Sequence, residues 1–178
     1  MLQNIVTTDL SGFVKGDTLG KRDIAVQDAL IEKSKQEPGS IREKLYCLQS
    51  AIGDLPEVEM PLQHLFAPGV YIRTIFIPKN CVLVGKIHKH AHANILSQGS
   101  VMVMTEGGGI EYLSGPKQMV SLPGTKRAVH ALTDVIWTTI HPTNSTDLAE
   151  IEDQVIAKTF EDYEKFQLNQ TKILEVTL

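Results

Sequence analysis

Cysteine is scarce. Only Cys47 and Cys81 occur in 178 residues, and neither belongs to a C-x-x-C pair, so no disulfide framework or cysteine zinc site organises the chain. Both lie in segments patterned like a helix and a strand and read as reduced packing residues. No apolar run approaches the roughly 20 residues that span a bilayer, so no membrane partner is expected. Met1-Leu2-Gln3-Asn4 lacks the basic-then-apolar layout of a signal peptide, and a cytoplasmic protein is expected. Without a secretory route, Asn144-Ser145-Thr146 and Asn169-Gln170-Thr171 are chance matches to the glycosylation pattern. No Ser-His-Asp order, P-loop or G-x-G-x-x-G ahead of a helix is present, which removes the common hydrolase and nucleotide-binding readings. Internal repeats and low-complexity tracts are also missing.

What remains is a composition suited to one buried core. Apolar residues make up 42% and charged residues 21%, the values of a folded globular chain. The net charge of -4 is unevenly spread: residues 1–60 carry -3, residues 61–141 carry +4 and residues 142–178 carry -5. A basic middle between acidic ends fits an anionic ligand in the middle, or flanks that pack on the core and complement it. With so small an excess and no basic run, no nucleic-acid partner is expected.

Along the chain, Asp17 to Gln36 reads as a modestly amphipathic helix ending before Pro38-Gly39. Ser40 and Glu43 form a capping box, and Ile41, Leu45, Leu48 and Ile52 then make one apolar stripe that Gly53 stops. Asp54 to Pro68, with prolines at 56, 61 and 68, reads as an extended connector. From Val70 the period changes to two. Seven strands are expected: Tyr71 to Ile77, Cys81 to His92, Ser100 to Thr105, Ile110 to Leu113, Gln118 to Leu122, Lys126 to Leu132 and Val135 to His141. Short strands punctuated by Gly and Pro turns argue for a sandwich or barrel of antiparallel strands. Beyond Pro142, Asp147 and Glu150 form another capping pair. Ile151, Val155, Ile156, Thr159, Phe160, Tyr163 and Phe166 then give one helix with a wide apolar face.

Three of the six histidines, His88, His90 and His92, alternate within five residues. Residues i, i+2 and i+4 of a strand point to one face, so three imidazoles are expected to line one surface, neighbours about 7 Å apart. Neutral imidazole is a common ligand for iron, manganese, nickel and zinc. A polar, solvent-facing strand edge is the competing reading.

At this point the sequence resembles the cupin superfamily, whose small barrels carry two motifs. The stretch Gly85-Lys86-Ile87-His88-Lys89-His90-Ala91-His92-Ala93-Asn94-Ile95-Leu96-Ser97-Gln98-Gly99 resembles the first, and Leu122-Pro123-Gly124-Thr125-Lys126-Arg127-Ala128-Val129-His130 the second. Residues 62–145 also look like small cupin proteins of tailed phages, which would place the chain in a host cytoplasm. Counted back from Gly99, the family histidines fall on Lys86 and His88 and the family glutamate on His92. Counted forward from the histidine pair, His88 and His90 match and Asn94 replaces the glutamate. In the second motif Ala128 stands for the histidine, with His130 two residues on.

The resemblance implies a mainly β protein with a cupin-type antiparallel barrel, or jelly roll, over residues 62–145, to which the helical patterning of the ends adds a helical extension over 1–61 and a C-terminal helix over 146–178. It implies His88, His90, His92 and His130 as metal ligands, a divalent cofactor (iron, manganese, nickel or zinc), a small-molecule ligand, and a homo-oligomer, expected to be a dimer. A non-catalytic phage accessory or interaction protein using the barrel as a scaffold is the alternative. His141, at a strand end, and His64, in the connector, are expected to stay outside the site. Lys126 shares parity with His130 and is expected at the barrel mouth. Trp137 or its neighbours fill the core, and Glu106 and Glu111 flank the triple-glycine turn without replacing the missing carboxylate.

Overall fold

The computed structural model describes residues 39–53, 55–105 and 109–177, with side chains to 172. The helix expected over Asp17–Gln36, together with Glu106, Gly107 and Gly108, lies outside them. The first described element is α1, Ile41–Gly53. Its start is fixed by the capping box: the Ser40 amide donates to Glu43 Oε2 at 2.6 Å, and the Glu43 amide donates to Ser40 Oγ at 3.3 Å. The buried stripe of Leu45, Leu48 and Ile52 packs on Val82 and Ala128 of the sheet beneath.

Ten strands follow: β1 Leu62–Ala67, β2 Val70–Ile77, β3 Val82–Val84, β4 Ile87–His88, β5 His92–Gln98, β6 Ser100–Thr105, β7 Ile110–Ser114, β8 Lys117–Ser121, β9 Arg127–Ala131 and β10 Val135–Pro142. Their antiparallel pairings nest, β6 with β7, β5 with β8, β3 with β9 and β2 with β10. Successive pairs fall alternately into two sheets, ordered β1-β2-β10-β5-β8 and β3-β9-β6-β7. A long hairpin wrapped in this way is a jelly roll. The main core lies between the sheets, with Ile75, Ile77, Leu96 and Trp137 of the first meeting Val101, Val103, Leu113 and Val129 of the second.

Two differences from the sequence reading account for the extra strands. β1 occupies the proline-bracketed connector, because Pro61 and Pro68 lie just outside it and it needs a ladder on one side only. The long run from Cys81 to His92 is broken at Gly85-Lys86 and again at Lys89-His90-Ala91, which leave the ladders. The strand that resumes at His92 continues through Ala93–Gln98, a stretch not expected to be a strand, because it pairs with β10 and β8 on either side.

After β10 come α2, Leu148–Val155, then β11, Ile156–Ala157, and α3, Phe160–Thr177. Asp147 caps α2 by accepting the Glu150 amide at 2.9 Å. The single helix expected through Ile151 and Phe166 is thus two. Ile156 and Ala157 are taken by β4, which pairs with them. A fresh reciprocal cap, Thr159 with Asp162 at 3.1 Å in each direction, starts α3.

Register on the inner face of the first sheet sets the chemistry of the interior. One layer holds Leu62, Ile75, Trp137 and Leu96, all buried and apolar. The next holds His64, Arg73, Thr139, Asn94 and Met119. The one beyond holds Phe66, Tyr71 and His141, with His92 opposite Ser121. The interior therefore turns from apolar to polar in two inward steps, each about 7 Å along the strands.

Candidate functional site

Three histidines close the polar end of the barrel. His92 opens β5, His141 stands second to last in β10, and His88 ends β4. Ring centroids are 4.0 Å apart for His88 and His92, 5.1 Å for His88 and His141, and 4.8 Å for His92 and His141. One ring nitrogen from each lies within 4.8 Å of the other two. His92 is 6% exposed and His141 4%.

The backbone of His88 is gripped from two sides. The Gly124 amide donates to its carbonyl at 2.8 Å, while β11 pairs with it through Ile156 and the next amide, that of Lys89, donates to Val155 O at 2.8 Å. Gly124 adopts φ +74, the left-handed region that favours glycine, and lies close under the Tyr163 ring. On the other flank Tyr71 stacks on His141 at 6.1 Å and is packed by Ile151 and Val155 of α2. The Tyr71 hydroxyl lies 2.7 Å from His64 Nδ1.

Burial sets the protonation state. It drives His88 from 6.5 to about 2, helped by His92, His141, Arg73 and Arg127. It drives His141 to about 4, helped by His92, Arg73 and His90. His92 is lowered as well, chiefly by burial, against a backbone hydrogen bond to the His90 carbonyl. All three are neutral near pH 7. His88 Nδ1 is buried with no hydrogen-bond partner, an arrangement that costs about 1–3 kcal/mol. A neutral imidazole with a buried, unpartnered nitrogen, grouped with two others, is the donor set a transition metal takes.

A polar girdle backs the cluster. Asn94 Nδ2 donates to Ser121 Oγ at 2.7 Å, Trp137 Nε1 donates to Asn94 Oδ1 at 3.0 Å, and Arg127 Nη2 donates to Ser121 Oγ at 2.8 Å. Ser121 sits opposite His92 in the β5–β8 ladder. The girdle fixes the wall against which His92 rests.

Of the four histidines named from the sequence, the structure gathers His88 and His92 and leaves His90 and His130 apart. The expectation of one face for His88, His90 and His92 is corrected, because the chain leaves its strand at Lys89-His90-Ala91 and the period of two lapses there. His90 is exposed and meets Phe166 edge-on at 5.2 Å. His130 lies on the outer face of β9, lining a small cleft with Leu48, Val82, Met102 and Met104 under α1. Lys126 shares that outer side: it is 4% exposed, with Nζ donating to Gly85 O at 3.2 Å and lying 5.0 Å from the Tyr46 ring centroid. It is therefore not at the barrel mouth. His141, expected outside, belongs to the cluster. Asn94, which stands at the family glutamate position, lies in the wall behind His92. Arg73, Arg127 and Ser121 carry no motif of their own, and the parity of Arg127 with Val129, and of Arg73 with Ile75, is the signal the sequence offers for the two arginines. Glu111 is exposed.

No protein-family model matches the chain, and no curated protein does. Solved structures similar to it include an RmlC-like cupin from Shewanella frigidimarina, 18% identical with a TM-score of 0.41 over 49% of this chain and 78% of that one. Another is an RmlC-like cupin with a double-stranded β-helix fold from Methanocaldococcus jannaschii, 11% identical with a TM-score of 0.41 over 48% and 81%. Ectoine synthase from P. lautus is 12% identical with a TM-score of 0.45 over 56% and 78%. Among the described residues, no helix is long and apolar enough to cross a membrane.

Proposed function

We propose that this chain is a cupin-type protein in which His88, His92 and His141 hold a divalent metal ion at the polar end of the barrel, and that a small molecule binds there. The observation that carries the reading is the buried, unpartnered Nδ1 of His88 inside a cluster of neutral imidazoles. Three nitrogen donors without a carboxylate favour zinc, iron or nickel over manganese and harder cations. With three protein ligands, a bound ion supplies Lewis acidity and keeps positions open for a ligand. The chain's own residues do the rest: Tyr71 and β11 fix the orientation of His141 and His88, and the Asn94–Ser121–Arg127 network fixes the wall behind His92.

The test is metal content of protein purified without a polyhistidine tag. About one ion of zinc, iron or nickel per chain supports the reading. Protein that is metal-free, and takes up none of the three when dialysed against them, leaves the barrel as a non-catalytic scaffold of an accessory or interaction protein.

A homodimer in the cytoplasm completes the proposal. β1 is an edge strand, and its Leu65 and Phe66 are 49% and 42% exposed, features that a second copy would cover. Light scattering at micromolar concentration should give twice the chain mass; the mass of one chain contradicts the dimer.

A further inference from the structure

Arg127 reaches the wall behind His92 from the second sheet. It precedes Ala128, which packs under α1, and shares the inward face of Val129, which lies in the core. Its guanidinium thus crosses from the second sheet to the first, where Nη2 donates to Ser121 Oγ. Ser121 is 3% exposed and sits opposite His92, and its hydroxyl accepts also from Asn94 Nδ2. Ser121 engages one of the five guanidinium N–H groups and holds the fork beside the cluster. Arg73 adds charge of the same sign on the adjoining layer, opposite Thr139 and two residues from Tyr71. The cluster itself contains no carboxylate. The acidic group that acts on Arg127, Glu111, is exposed.

A divalent ion on three neutral imidazoles adds two positive charges beside that of Arg127, inside a barrel where unbalanced charge is costly. A neutral ligand leaves the imbalance in place. A carboxylate or phosphate reduces it and matches the planar fork of an arginine better than the point charge of a lysine.

We infer that the small molecule bound at this site carries an oxyanion, a carboxylate or a phosphate, which Arg127 receives while the rest of the ligand faces His88, His92 and His141. The inference rests on the metal-and-ligand reading of the cluster.

The experiment uses the full chain loaded with cobalt(II), whose visible spectrum reports on its coordination. Oxalate and inorganic phosphate are titrated as probes, with ethylene glycol as the neutral comparison. Either anion should perturb the spectrum and ethylene glycol should not; the stronger of the two assigns carboxylate or phosphate. Arg127→Gln should bind cobalt within about threefold of wild type and lose at least tenfold in anion affinity, the loss expected for one charge-assisted contact. Ser121→Ala, which keeps the charge but unties the fork, should lose less, and it serves if Arg127→Gln does not fold. Anion binding unchanged in both variants, or ethylene glycol acting as strongly as the anions, overturns the inference. Failure of wild type to bind cobalt sinks the metal reading instead. In that case the same anions are titrated against metal-free protein by Trp137 fluorescence, and binding that depends on Arg127 keeps the inference while its absence ends it.

Discussion

The rings of His88 and His141 lie parallel within 2°, with centroids 5.1 Å apart. They come from strands in different parts of the chain and are buried together, so neither can charge without placing a cation against the other's face. The folded protein therefore refuses protons that the unfolded chain accepts below pH 6.5. Stability is full above that pH and declines as pH falls, by about 1.4 kcal/mol per pH unit for each histidine held neutral. The His141 contribution is exhausted near pH 4 and that of His88 near pH 2. Metal-free protein should lose melting temperature steadily from pH 6.5 to 4, and His88→Gln should shallow the slope. A flat profile over that interval contradicts the neutral cluster.

Trp137 and Asn94 form the floor of the site through one buried hydrogen bond of 3.0 Å. Trp137→Phe removes the donor and leaves Asn94 Oδ1 without it, a loss of about 1–3 kcal/mol. Urea unfolding followed by circular dichroism measures it. The double variant with Asn94→Leu should cost less than the two single losses together, and strict additivity would show that the pair is not coupled.

Gly99 turns the chain between β5 and β6 with φ +91, and a Cβ there would lie 2.3 Å from Asp134 O. Gly99→Ala meets both a disfavoured backbone and a fixed carbonyl, and should cost about 2 kcal/mol or more. Gly53, whose Cβ would meet nothing within 4 Å, is the comparison. Gly53→Ala should stay within about 0.5 kcal/mol of wild type. Equal stability of the two variants in chemical denaturation goes against this account of the turn.

The fold was legible wherever one strand face is buried and the other is not. β2 and β10 announce themselves through alternating β-branched residues, and the caps at Ser40 and Asp147 bond as their spacing implies. The site was half legible. His130 misled because both faces of β9 are covered, Val129 and Ala131 by the core and Ala128 by α1, so alternation there does not tell inside from outside. His90 misled because a period of two holds only while the strand lasts, and local sequence does not show that Ile156 would claim His88 and let the chain bend after it. His141 was within reach: once Trp137 is taken as core, Thr139 and His141 must share its face. Arg127 needed the pairing of two sheets, which is set by residues far apart in the chain.

The central claim is that His88, His92 and His141 form one metal site and His130 does not belong to it. Its most direct test is the melting temperature of metal-free protein with and without excess zinc or nickel, for wild type and for each histidine replaced by alanine. Mass action raises the melting temperature of any chain that binds the ion when folded. The increment should appear in wild type and in His130→Ala, and should vanish or fall to a small remnant in His88→Ala, His92→Ala and His141→Ala. An increment that survives in His88→Ala and His141→Ala, or that disappears in His130→Ala, contradicts the site.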